Sequence, residues 1–95
     1  MSAYLIGDIE VPDLKRYEVY RRDLAAIVAR HGGEYLVRGG EFEVIEGDWQ
    51  PVRLFLFRFP DRKAIHAFLD DPDYQPLRKL RGLIAKTRLI AVDGI

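Results

Sequence analysis

The sequence predicts an α+β domain, an antiparallel four-stranded sheet with helices on one face, and three observations carry this. The stretch Arg53-Leu54-Phe55-Leu56-Phe57-Arg58-Phe59 is short, rich in Phe and closed by Pro60, which reads as a buried strand. Leu14, Tyr17, Tyr20, Leu24, Ile27 and Val28 recur at helical spacing and form one apolar stripe. Segments of these two kinds follow one another in the order β-α-β-β-α-β, with one extra helical piece.

Tyr4 to Val11 reads as the first strand, with Gly7 as a point of close approach or a bulge, and Pro12 ends it. Asp13 is a good N-cap for a helix from Leu14 to His31, and Gly32-Gly33 closes that helix. Glu34 to Arg38 is the next strand, with Tyr35 and Val37 on one face and Leu36 and Arg38 on the other. Alternation resumes at Phe42, Val44 and Glu46, so Gly39-Gly40 reads as a bend within one long strand. Gly47-Asp48-Trp49-Gln50-Pro51 is turn chemistry that delivers the chain to the Phe-rich strand. On that strand Phe55, Phe57 and Phe59 look one way and Leu54 and Leu56 the other, so both faces are expected to be covered. Asp61 caps a short helix bearing Ala64, Ile65, Phe68 and Leu69, which Asp70-Asp71-Pro72 ends. Asp73 caps another, where Leu77, Leu80 and Ile84 share a face, and Arg88 to Asp93 is the last strand.

The 95 residues make one domain, 1–95, with no linker, repeat or low-complexity segment. Fifteen basic against fifteen acidic residues leave no net charge, so neither nucleic acid nor an anionic membrane is expected as a partner. Without cysteine there is neither a disulfide nor a thiol nucleophile. No signal peptide or membrane-spanning run is visible, and a cytoplasmic protein is expected.

The element order is the ferredoxin-like split βαβ pattern. His31-Gly32-Gly33-Glu34-Tyr35-Leu36-Val37-Arg38-Gly39-Gly40, Glu43-Val44-Ile45-Glu46-Gly47-Asp48-Trp49-Gln50-Pro51-Val52-Arg53 and Asp71-Pro72-Asp73-Tyr74-Gln75-Pro76-Leu77-Arg78 add a second signal. Together they resemble the domain-of-unknown-function family 1330, over essentially the whole chain. The resemblance implies a dimeric α+β barrel, in which two ferredoxin-like subunits press sheet against sheet with helices outside. It implies no agreed activity, because the family has none assigned, and relatives with that fold include cofactor-free monooxygenases, lactone isomerases, haem-degrading enzymes and stress-response proteins. It raises the expectation of a small-molecule pocket and settles no chemistry.

Four residues are candidates for lining such a pocket. Tyr74 starts a helix after an acidic turn, where its hydroxyl can face a ligand; the plainer reading packs its ring over the sheet edge. Arg38 precedes two glycines and can bind a carboxylate; the plainer reading pairs it with Glu41, Glu43 or an acid of a neighbouring strand. Tyr17 and Arg21 lie on or beside the inward helical stripe, where such a Tyr is more often core and such an Arg reaches for water. Arg78 and Arg81 suit a solvated face, and neither His31 nor His66 is placed as a ligand. No cofactor is therefore expected, haem included. Asp70, Asp71 and Asp73 are used up by loop breaking and capping, so no metal is expected either.

Two classes of function remain: a homodimeric small-molecule domain, with room for a cofactor-free enzyme, and a structural or interaction module without a ligand. An RNA-recognition module shares the element order, but Leu54 and Leu56 stand where its motif wants small residues, and Pro60 replaces its last aromatic. The homodimer follows from counting covers. A two-layer domain leaves one sheet face to water, yet these strands are apolar on both sides, and a second copy is the natural cover. Candidate interface residues are Phe55 and Phe57 on the sheet and Trp49 at the loop tip.

Overall fold

In a computed structural model, which describes residues 2–12 and 14–95, β1 (Ala3–Glu10) and β3 (Leu54–Phe59) form the middle of a four-stranded antiparallel sheet. β2 (Glu34–Arg38) lies beside β3 and β4 (Lys86–Asp93) beside β1, giving the order β2-β3-β1-β4 of a ferredoxin-like fold. Three helices, α1 (Leu14–Arg30), α2 (Arg62–Asp70) and α3 (Gln75–Ile84), supply the apolar side chains that meet the Phe-bearing face. The Asp13 cap and the side chain of Leu14 fall outside the described residues.

Alternation along the strands decides which side chains form the core. Ala3, Leu5 and Ile9 of β1 and Phe55, Phe57 and Phe59 of β3 are buried beneath Tyr17, Tyr20, Leu24, Ile27 and Val28 of α1. Each fully buried Phe contributes about 2 kcal/mol of transfer free energy. Gly7 sits opposite Phe55, whose ring covers it: a Cβ on Gly7 would come within 2.0 Å of the ring's Cζ. The close approach inferred from the sequence is this one.

The helix ends follow the residues expected to stop them. Gly33 N–H donates to the Val28 carbonyl at 3.0 Å and Gly32 N–H to Ala29 at 3.0 Å, the double closure of a Schellman cap. Asp61 Oδ1 accepts from the Ala64 N–H at 2.8 Å and caps α2. Asp73 does not cap α3. The N-cap position belongs to Tyr74, and the Asp73 carboxylate instead takes Arg30 Nη1 at 2.8 Å.

Two expectations about β2 are corrected. The bulge falls at Leu36, between Tyr35 and Val37, rather than at the glycines. It turns Val37 to the open face opposite Leu56 and brings Arg38 to the Phe55 side, with Tyr35. The strand then stops. Gly39 takes the left-handed φ of 64°, its N–H donating to the Leu54 carbonyl at 2.8 Å, and residues 41–52 form no strand. The stretch leading into β3 cannot pair with them, because it is the Gly47–Pro51 turn and Pro51 has no N–H to give. Phe42, Val44, Ile45 and Trp49 are consequently exposed.

The second face of the sheet has no helix over it. Ile6, Leu54 and Leu56 are half-buried there, and Val37, Ile90 and Val92 are exposed, Ile90 at 61 %. Arg58 and Glu34, paired across β3 and β2, form an ion pair on the same face.

Candidate small-molecule cleft

The seam between α1 and the β2–β3 hairpin gathers cations over aromatic rings. Tyr17 and Tyr20 lie one turn apart on the inward stripe of α1, their ring centroids 5.7 Å apart and stacked. Arg21, a turn beyond Tyr17, comes to the same edge. From the sheet side, the bulge at Leu36 sets the Arg38 guanidinium over the Tyr35 ring, 4.3 Å from its centroid. Arg53, just before β3, places its guanidinium 5.7 Å from the Tyr17 centroid. Cations over aromatic faces gain about 0.5–1 kcal/mol at exposed sites. Tyr17, Arg21, Tyr35, Arg38, Arg53 and Phe55 thus surround one opening.

Its charge is unbalanced. Arg21 Nη2 meets Glu18 Oε2 at 2.8 Å, whereas Arg38 and Arg53 have no carboxylate within ion-pair distance among the described residues. The expected pairing of Arg38 with Glu41 or Glu43 does not occur, because the chain turns out of the sheet at Gly39.

Behind the opening lies an inner cavity, and Tyr17, Tyr35 and Phe55 are walls of both. The free space of the cavity and that of the opening are each about 10 Å³, one water's worth. Tyr20 and Tyr74 line the cavity, their hydroxyl oxygens 2.7 Å apart across fifty-four residues of sequence. Burial pushes the Tyr20 hydroxyl well above the ordinary phenol range, and the neighbouring Tyr74 hydroxyl adds to this. Burial likewise raises Tyr17, against the opposing pull of Arg53 and Arg21, and lifts Tyr35 to about 12, partly offset by Arg38. These phenols hold their protons at any physiological pH. They can donate hydrogen bonds and are poor bases.

Of the residues singled out in the sequence, Tyr17, Arg21 and Arg38 meet at the opening. Tyr74 does not join them: it is 1 % exposed, deep in the inner cavity, and reaches the site through Tyr20 and the shared wall of Tyr17. Arg53, Tyr35 and Tyr20 were not singled out. Tyr20 was visible in the helical stripe, while the contribution of Tyr35 and Arg38 to one face depends on a bulge that alternation alone does not reveal. Phe55 and Phe57 are corrected as interface residues. At 8 % and 2 % exposure they belong to the chain's own core, while Trp49 is 55 % exposed.

The remaining polar candidates are structural. Asp71 Oδ2 meets His31 Nε2 at 2.8 Å and Arg30 Nη1 at 3.1 Å, and Asp71 Oδ1 accepts the Asp73 N–H at 2.9 Å. This ties the end of α1 to the turn between α2 and α3. The hydrogen bond with His31, followed by that from Asp73, holds the Asp71 carboxyl below the usual carboxylate range. Among the described residues no group of three or more His, Asp or Glu side chains could hold a metal ion. No helix among them is long and apolar enough to cross a membrane.

Residues 2–95 match the model of a family described as domain of unknown function, DUF1330, and the chain belongs to that family. No curated protein matches the sequence. Solved structures do. A protein of unknown function from Rhodopseudomonas palustris is 22 % identical at a TM-score of 0.78, the match covering 99 % of this chain and 82 % of that one. A dimeric ferredoxin-like protein of unknown function from Jannaschia sp. CCS1 is 14 % identical at a TM-score of 0.78, covering 99 % and 100 %. SnoaB, a cofactor-independent oxygenase from Streptomyces nogalater, is 13 % identical at a TM-score of 0.68, covering 99 % and 93 %. At these identities the likeness is one of fold.

Proposed function

We propose that this DUF1330 member is a homodimeric domain that binds a small planar anion, an aromatic carboxylate in the first instance, at the seam between α1 and the β2–β3 hairpin. One observation carries the reading: Arg38 and Arg53, without carboxylate partners, stand over the Tyr35 and Tyr17 rings at a single opening. Guanidinium groups recognise carboxylates through paired, charge-assisted hydrogen bonds, and tyrosine faces stack on a flat ring. Each such hydrogen bond to a charged group is worth about 1.5–3 kcal/mol.

The phenols define the chemistry open to the cleft. With their protons retained, Tyr17, Tyr20 and Tyr35 can polarise a ligand oxygen but cannot abstract a proton from it. The oxygenase SnoaB shares the fold and works without a cofactor, which supports a cleft for an organic ligand and leaves the reaction of this chain open.

The dimer rests on the uncovered sheet face. Ile6, Val37, Leu54, Leu56, Ile90 and Val92 form an apolar surface that a second copy can cover through a two-fold axis, and the dimeric Jannaschia protein of the same fold supports this. A stable pairing of that kind buries about 800 Å² per subunit.

Calorimetric titration with benzoate and with its neutral isostere benzamide tests the site. Benzoate is expected to bind and benzamide to bind at least about tenfold more weakly, with Arg38→Ala and Arg53→Ala each removing most of that difference. Equal binding of acid and amide, or benzoate affinity indifferent to both substitutions, contradicts the anion site, and binding of neither favours a module without a ligand.

A further inference from the structure

The hydroxyl pair in the inner cavity has a proton to spare. Tyr20 and Tyr74 are 3 % and 1 % exposed, and their oxygens lie 2.7 Å apart. Two hydroxyls bring two protons, and the bond between them uses one. The second proton sits on whichever oxygen accepts, and among the described residues that oxygen has no acceptor of its own. A buried donor left without an acceptor is costly, so such groups are normally satisfied by something.

The surrounding wall says what is missing. Leu5, Ile9, Leu24, Phe57, Phe68 and Leu89 give it an apolar lining. Among the described residues its one charged member is Arg81, which can only donate. Among the described residues every polar group facing this space is therefore able to donate. The complementary group is an acceptor oxygen, carried on an otherwise apolar body.

We propose that the inner cavity is the second half of the ligand site, where the Tyr20–Tyr74 pair donates its spare proton to an oxygen at the far end of the ligand. This rests on the reading of the opening given above: the carboxylate stays with Arg38 and Arg53, and the ring lies between. The ligand class becomes an aromatic acid bearing a second oxygen, hydroxyl or carbonyl, away from its carboxylate. Tyr17 is a wall of both spaces, and each now holds one water's worth of room, so the proposal requires the Tyr17 side chain to turn aside as the ring enters.

The test compares two isosteric probes, 4-hydroxybenzoate and 4-methylbenzoate, by calorimetric titration of the full chain. The hydroxy acid is expected to bind about tenfold more tightly, the worth of one good buried hydrogen bond. In the double variant Tyr20→Phe/Tyr74→Phe, which removes both hydroxyl protons, that ratio falls to about one, and in Arg38→Ala both acids weaken together. Far-UV circular dichroism establishes that each variant is folded. Equal binding of the two acids to the unmodified protein, or a ratio that survives the loss of both Tyr hydroxyls, overturns the inference and leaves the arginine opening standing. Binding of neither acid overturns the opening itself, and this inference with it.

Discussion

The Phe55 ring occupies the space a side chain on Gly7 would need, with its Cζ 2.0 Å from the position of a Cβ there. The two residues are register partners on neighbouring strands, and Phe55 is also a wall of the cleft. Gly7→Ala must push the ring aside, and the free space beside it is the cleft. The substitution is expected to cost about 1–3 kcal/mol in urea unfolding and to weaken benzoate binding as well. Unchanged stability would contradict the close packing described here.

The two faces of β3 differ in what a charge does to them. Phe57→Asp places an unpaired carboxylate in the core at a 2 % exposed site, and the variant is expected to lose the fold or soluble expression altogether. Leu56→Asp, one residue away on the open face, is expected to keep the circular dichroism spectrum of the unmodified chain. A soluble Phe57→Asp protein with an unchanged melting temperature would mean the strand's orientation is wrong.

This contrast also marks how much was legible beforehand. Alternation along Leu54–Phe59 and the helical stripe from Tyr17 to Val28 placed the core, because burial imposes those periods directly. Pro12 placed the end of β1, Gly32 the end of α1 and the Asp61 cap the start of α2, for the same local reasons. Phe55 and Phe57 were assigned to an interface because alternation distinguishes two faces without saying which one the helices take. Arg38 came out on the side opposite to that expected, because a bulge at Leu36 leaves no mark in the hydrophobic pattern. The stretch Phe42–Glu46 alternates like a strand yet finds no strand to pair with inside one chain.

The uncovered face predicts the oligomeric state. Light scattering at low micromolar concentration is expected to give twice the 11.0 kDa of one chain, and Leu56→Asp or Ile90→Asp to give a folded monomer. If the partner also covers the loop tip, Trp49 emission shifts to longer wavelength as the dimer dissociates on dilution. A mass of one chain for the unmodified protein would remove the dimer.

Asp71 predicts a pH dependence with a definite sign. Its folded-state carboxyl is more acidic than in the unfolded chain, so its contribution to stability is complete above the unfolded value of about pH 4 and disappears as pH falls through the lower folded value. The gap in melting temperature between the unmodified protein and Asp71→Asn is therefore expected to be constant from about pH 5 to 7 and to close below about pH 4. A gap that does not narrow at all as pH falls from the unfolded value would show that the carboxylate's charge is not what ties α1 to the α2–α3 turn.

The arginine opening is tested most directly by a crystal structure of the chain soaked with benzoate. The account predicts the carboxylate between the Arg38 and Arg53 guanidinium groups, with the ring against Tyr17 and Tyr35. An opening without density at saturating benzoate, or benzoate bound elsewhere with both guanidinium groups still on their tyrosine rings, would contradict it.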